Sequence, residues 1–110
     1  MSPNKLIALY NATSPALEEE FNRWYNEVHI PEVLSLPNIS GVTRYRAQVQ
    51  IRPAAAPPFR YFNIYDLVDH SKVAKEIAGK EADFTPSDAI DLAGAVATIY
   101  EPFFTYARKR

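Results

Sequence analysis

Two stretches of helical periodicity lie among four of strand periodicity in this 110-residue chain, and their order leaves few folds open. The first helical stretch is the richest. From Glu18 to Pro37 it reads EEEFNRWYNEVHIPEVLSLP and holds the only Trp and one of the two His residues. Leu17, Phe21, Trp24 and Val28 recur at helical spacing as one apolar stripe, and Asn22, Tyr25 and His29 form a second row beside it. Ser14 fits an N-cap, Pro15 the first helical position, and Glu18, Glu19 and Glu20 the positive end. Pro31 has no N–H and biases Ile30 away from helical angles, so the helix is expected to end near His29. One more turn over 31–36 would precede the Pro37-Asn38 breaker. His29 then sits in a last turn, where the electron-rich helix end favours a protonated imidazole.

The remaining elements follow from pattern. Lys5–Tyr10 (KLIALY) is a continuous apolar run of strand length. Gly41–Ile51 alternates, with Thr43, Tyr45, Ala47, Val49 and Ile51 on one side and Arg44, Arg46, Gln48 and Gln50 on the other. A Pro- and Ala-rich connection over Arg52–Pro58 leads to a returning strand, Phe59–Val68. If Ile51 lies opposite Phe59, Tyr45 shares a helix-facing surface with Tyr61, Asn63 and Tyr65. Arg44 then falls on the other surface, close to Asp66 as a cross-strand pair, and Arg44 and Arg46 serve the surface or a dimer interface. Asp69–Ala82 is a second helix, capped by Asp69 or Ser71. Thr85-Pro86-Ser87-Asp88 carries the pattern of a further helix start, running to about Ala93. Ala95–Tyr106 is the last strand, with Pro102 at a bulge or edge.

The order β-α-β-β-α-β within one domain, 1–110, is the ferredoxin-like α+β pattern, an antiparallel four-stranded sheet with both helices on one face. The opposite face would carry Phe62 and Ile64, too apolar to stay open to water, and a second copy of the chain would cover it. A net charge of −1 gives no field for nucleic acid or an anionic membrane, and no apolar run reaches membrane-spanning length. The protein is expected in the cytoplasm. The absence of Cys excludes disulfides and thiolate chemistry. With three Gly residues there is no phosphate-binding loop, and no Ser-His-Asp signature is present.

The run FNRWYNEVHIPE, followed by NISGVTRYR, resembles the dimeric α/β-barrel superfamily and in particular its EthD-like branch. Trp24, Tyr25, His29 and Pro31 carry the W-Y-x-x-x-H-x-P signature, and Gly41 to Arg46 carry the arginine-containing strand. The resemblance implies two ferredoxin-like chains packed sheet to sheet, each with a small-molecule pocket between its sheet and helices. Members of that superfamily include cofactor-free polyketide cyclases, quinone-forming monooxygenases, lactone isomerases and haem-degrading enzymes. The His-Pro pair that such cyclases often carry near the second helix has no counterpart, because 72–86 contains no His. The Asn, Trp and His of haem-degrading members would all fall on one helix here, as Asn22, Trp24 and His29.

Residue chemistry and resemblance together point to a cofactor-independent lyase, cyclase or isomerase acting on a small aromatic or polyketide-like carbonyl compound. His29 would move a proton, and Tyr25 would hydrogen-bond an enolate-like oxygen. Asn22, Trp24, Tyr45, Tyr61, Asn63 and Tyr65 would contact the substrate. A cofactor-free monooxygenase of phenols and a non-catalytic ligand-binding dimer are the alternatives. For each residue a plainer role stands beside this one: His29 bonding the helix end, Trp24 filling core, the Tyr hydroxyls reaching water. The spacing His29-x-x-Glu32 suits a metal pair only on an unbroken helix, so no metal is expected. His70 is read as a turn residue.

Overall fold

The computed structural model describes residues 1–52 and 59–109. Strands β1 (Lys5–Tyr10), β2 (Ile39–Arg46), β3 (Tyr61–Leu67) and β4 (Val96–Tyr100) form one sheet in the order β2-β3-β1-β4, with every pairing antiparallel. Helices α1 (Glu18–Trp24) and α2 (Ile30–Leu34) lie between β1 and β2, and α3 (His70–Lys80) lies between β3 and β4. This is the ferredoxin-like β-α-β-β-α-β arrangement expected from the sequence.

Side chains alternate along each strand, so the register sorts them into two faces. Leu6, Ala8 and Tyr10 of β1 and Tyr61, Asn63, Tyr65 and Leu67 of β3 point at the helices. Phe21, Tyr25 and Val33 meet them from the first helical segment, and Val73 from α3. Phe21, Leu67 and Val73 have no exposed surface at all. The helix-free face presents Ile7, Leu9, Thr43, Phe62, Ile64 and Val96.

The hairpin register differs from expectation. Tyr45 pairs with Phe62 and Arg44 with Asn63, an odd offset from the expected pairing, so every β2 side chain changes face. The expected pairing was projected from Ile51, but β2 ends at Arg46, and the connection from 53 to 58 lies outside the described residues. Tyr45 is therefore on the helix-free face, stacked on Phe62 with ring centroids 4.7 Å apart. Arg44 turns toward the helices, and Asp66 pairs with Lys5 at 2.7 Å instead.

The first helix does not stop at Pro31. A 3-10 turn (Pro15–Leu17), α1, a π-helical turn (Tyr25–His29) and α2 follow one another without a break. Pro31 has no N–H, and its ring would crowd the carbonyl of Glu27 in a regular α-helix. The π turn relieves that conflict by widening the backbone, with the Ile30 N–H bonded to the Tyr25 carbonyl five residues back. Ser14 occupies the N-cap position, but its side chain makes no capping bond.

Asp69 caps α3 as expected, accepting from the Ser71 N–H at 3.0 Å. No helix follows Thr85. Residues 89–91 instead pair with the chain leaving β1: Thr13 N–H reaches Ala89 O at 2.7 Å, and Asp91 N–H reaches Asn11 O at 3.0 Å. Long-range pairing overrides the local capping pattern there. His70 bonds Ser2 through Nδ1 at 2.8 Å, a contact near the chain start.

Candidate active-site cavity

Between sheet and helices lies a cavity of about 520 Å³, within the range of small-molecule sites. Leu6, Ala8, Tyr10 and Tyr65 form its floor, and Trp24, Tyr25, His29 and Val33 form one wall. Ile77 of α3 and the segment Phe84–Ser87 close the opposite side. That segment is tied to the first helix twice. The Trp24 indole N–H donates to the Thr85 carbonyl at 3.2 Å, and the Glu32 carboxylate takes the Thr85 N–H and hydroxyl at 2.9 and 2.8 Å. Glu32 is thus engaged away from His29. Among the described residues no cluster of His, Asp or Glu could hold a metal ion.

The π turn arranges the aromatic wall. In an α-helix residues five apart diverge by about 140°, since each step turns about 100°. Here Trp24 and His29, five apart, stack with centroids 5.0 Å apart. The Tyr25 ring meets His29 edge-on at 4.7 Å, and Phe84 does so at 6.2 Å. Rings therefore hold the imidazole in place, while neither ring nitrogen has a hydrogen-bond partner among the described residues. Burial pushes the His29 pKa below its ordinary 6.5, against an upward pull from Glu32 and with a smaller downward push from Arg44. The helix-end effect expected of His29 is absent, because the helix continues past it. His29 is neutral at pH 7 and can accept a proton.

A buried polar hub lies beside it. Asn63 is fully buried and donates through Nδ2 to the Tyr25 hydroxyl at 2.7 Å and the Tyr65 hydroxyl at 3.1 Å. Its carbonyl oxygen accepts from the Tyr10 hydroxyl at 2.5 Å. Burial raises the pKa of all three phenols, so they stay protonated donors. Tyr25 and Tyr65 both accept from Asn63 and both line the cavity, and their hydroxyls also bond each other, so an acceptor inside it would take over a proton now shared between phenols.

The comparisons with known proteins bear on family and fold. A family model described as REDY-like protein HapK matches residues 4–88. The chain belongs to the HapK family. The HapK crystal structure from Hahella chejuensis superimposes with a TM-score of 0.60 at 20% identity, covering 96% of this chain and 99% of that one. An ethyl tert-butyl ether D (EthD) family protein from Bacillus halodurans C-125 gives 0.60 and 20%, covering 91% and 98%. An EthD-like protein from Ralstonia eutropha JMP134 gives 0.54 and 14%, covering 92% and 93%. No protein of curated function matches in sequence. The EthD-like fold is thereby shown.

The HapK-matched region contains every residue expected at the site, and the structure divides them. His29, Tyr25, Trp24 and Tyr65 line the main cavity, and Asn63 supports it from behind. Asn22 and Tyr61 lie at a second, smaller hollow of about 240 Å³, together with Asn26, Arg44 and Arg46. Tyr45 reaches only the rim of that hollow from the helix-free side, apart from the residues it was grouped with. Two participants were missed. Tyr10 shares the face of Leu6 and Ala8, a signal present in KLIALY, whereas Arg44 was hidden by the register.

Proposed function

We propose that this HapK-family chain is a cofactor-independent acid–base catalyst acting on a small aromatic or polyketide-like carbonyl compound, as a lyase, cyclase or isomerase. The observation that carries this reading is a neutral His29 with unengaged ring nitrogens beside the Tyr25 and Tyr65 hydroxyls in one cavity. His29 takes a proton from carbon next to the substrate carbonyl. The C–H electron pair moves into the C–C bond as the carbonyl oxygen gains charge, and the Tyr25 and Tyr65 hydroxyls donate to that oxygen. The enolate then recovers the proton from His29 at another carbon, or attacks a second carbonyl to close a ring, and the alkoxide so formed takes the proton back from His29. These steps need only a proton acceptor and donors, which is why the reading requires no cofactor. A second copy of the chain covers the helix-free sheet face.

The test is proton exchange. Incubated in D2O with aryl 1,3-diketones, the protein should speed loss of the acidic C–H signal in the NMR spectrum. His29→Ala should lower that rate by about a hundredfold or more, the usual contribution of a general base. Binding of these compounds with no exchange above the buffer rate would leave a ligand-binding module and end the catalytic reading.

A further inference from the structure

Arg44 takes no part in the steps above and does not line the main cavity, yet its guanidinium is more fully engaged than any other among the described residues. Its Nε donates to the Tyr10 hydroxyl at 2.9 Å, and its terminal nitrogens donate to Asn26 Oδ1 at 2.6 Å and Asn22 Oδ1 at 2.9 Å. The guanidinium carbon lies 4.2 Å over the Tyr25 ring. We infer that Arg44 is a positioning residue for the site, the cationic end of a hydrogen-bond relay through Tyr10 and Asn63 that fixes the Tyr25 and Tyr65 hydroxyls at the cavity and strengthens them as donors. This rests on the acid–base reading for its purpose, though its physical content stands apart from it.

The polarity of the relay is forced at each step. A guanidinium has donors only, so the Tyr10 oxygen must accept from it. The single Tyr10 proton then goes to Asn63 Oδ1 at 2.5 Å. That contact fixes the Asn63 amide with its two N–H groups toward the Tyr25 and Tyr65 oxygens, at 2.7 and 3.1 Å. Turning the amide over would set an N–H group against the Tyr10 proton and take both N–H groups away from the Tyr25 and Tyr65 oxygens. Successive donation from a cation polarises each link, so each phenol is a stronger donor than it would be without Arg44. Arg44 thereby lends positive character to the cavity without placing a full charge inside it.

The relay is read directly by placing 3,5-difluorotyrosine at position 25, whose hydroxyl ionises at lower pH than tyrosine, and following its 19F NMR signal against pH in the ligand-free protein. The charged and titratable groups around it are Arg44 from β2, His29 from the same helix, Tyr10, Tyr61 and Tyr65 from the sheet, and Glu81 at the cavity rim. Arg44→Met should raise the ionisation pH by about one unit, and Arg44→Lys should recover part of the shift. Tyr10→Phe, which removes one oxygen and keeps Arg44, should raise it by about half a unit and keeps the test open if Arg44→Met does not fold. An ionisation pH unchanged in Tyr10→Phe overturns the relay, including the case where Arg44→Met alone shifts it, because the charge would then act through space. Since no ligand is involved, failure of the exchange reaction leaves this result readable.

Discussion

The imidazole of His29 is fixed by rings rather than by hydrogen bonds, and this decides its protonation. Stacked on Trp24 and flanked by Tyr25 and Phe84, it loses water and gains no hydrogen-bond partner among the described residues, and the upward pull of Glu32 does not offset that burial. The single Trp is therefore a reporter, because a protonated imidazole quenches a stacked indole. A pH titration of Trp24 fluorescence should show quenching on acidification with a midpoint below 6.5, and His29→Gln should abolish the step. A midpoint above 6.5 would show a His29 stabilised as the cation. The same shift bears on stability. The unfolded chain takes up a proton through pH 6.5 that the folded one resists, so this group weakens the fold as pH falls below that value. Asn63 shows the cost side of the site, since each phenol left unpaired by its loss would cost about 1–3 kcal/mol. Tyr25 and His29 were legible in the sequence because helical periodicity puts them in one row, whereas Trp24 joins them only through the π turn. Arg44 was not, because its facing depends on pairing across a connection that periodicity does not resolve.

At the scale of elements, the π turn makes the site. Proline normally ends a helix, and the sequence expectation of a stop near His29 follows that rule. The tertiary structure instead keeps the helix going because Val33 and Leu36, beyond the proline, belong to the buried core. Burying them offsets the local irregularity, and the wide turn brings Trp24 onto His29. Pro31→Ala restores the missing N–H and allows a regular α turn, which would separate the two rings around the helix. We expect that variant to lose the pH-dependent fluorescence step while melting no lower than the wild type. An unchanged step would show that the core, not the proline, dictates the π turn. The segment after Thr85 teaches the converse. Its capping pattern is sound locally, but Glu32 and Trp24 take Thr85, and residues 89–91 bond with the chain leaving β1. Such contacts leave no trace in short-range sequence.

For the whole molecule, the order of the elements made the fold legible, and the faces of β3 followed from its pattern, whereas β1 reads only as a continuous apolar run. The helix-free face carries Ile7, Leu9, Phe62, Ile64 and Val96, and beyond β4 Phe103 and Phe104 are 93% and 78% exposed. That much apolar surface calls for a partner. Light scattering should give twice the 12.4 kDa chain mass, and Phe62→Glu should give the single-chain mass with the far-ultraviolet circular dichroism unchanged. A monomeric wild type would leave the face to some other partner. No helix among the described residues is long and apolar enough to cross a membrane. The central claim concerns what the cavity holds, and a crystal structure with a bound aryl 1,3-diketone tests it most directly. The account predicts the ligand carbonyl oxygen within hydrogen-bond reach of the Tyr25 and Tyr65 hydroxyls, with its acidic carbon facing a His29 nitrogen. A ligand bound elsewhere, or a cavity filled by collapsed side chains, would contradict it.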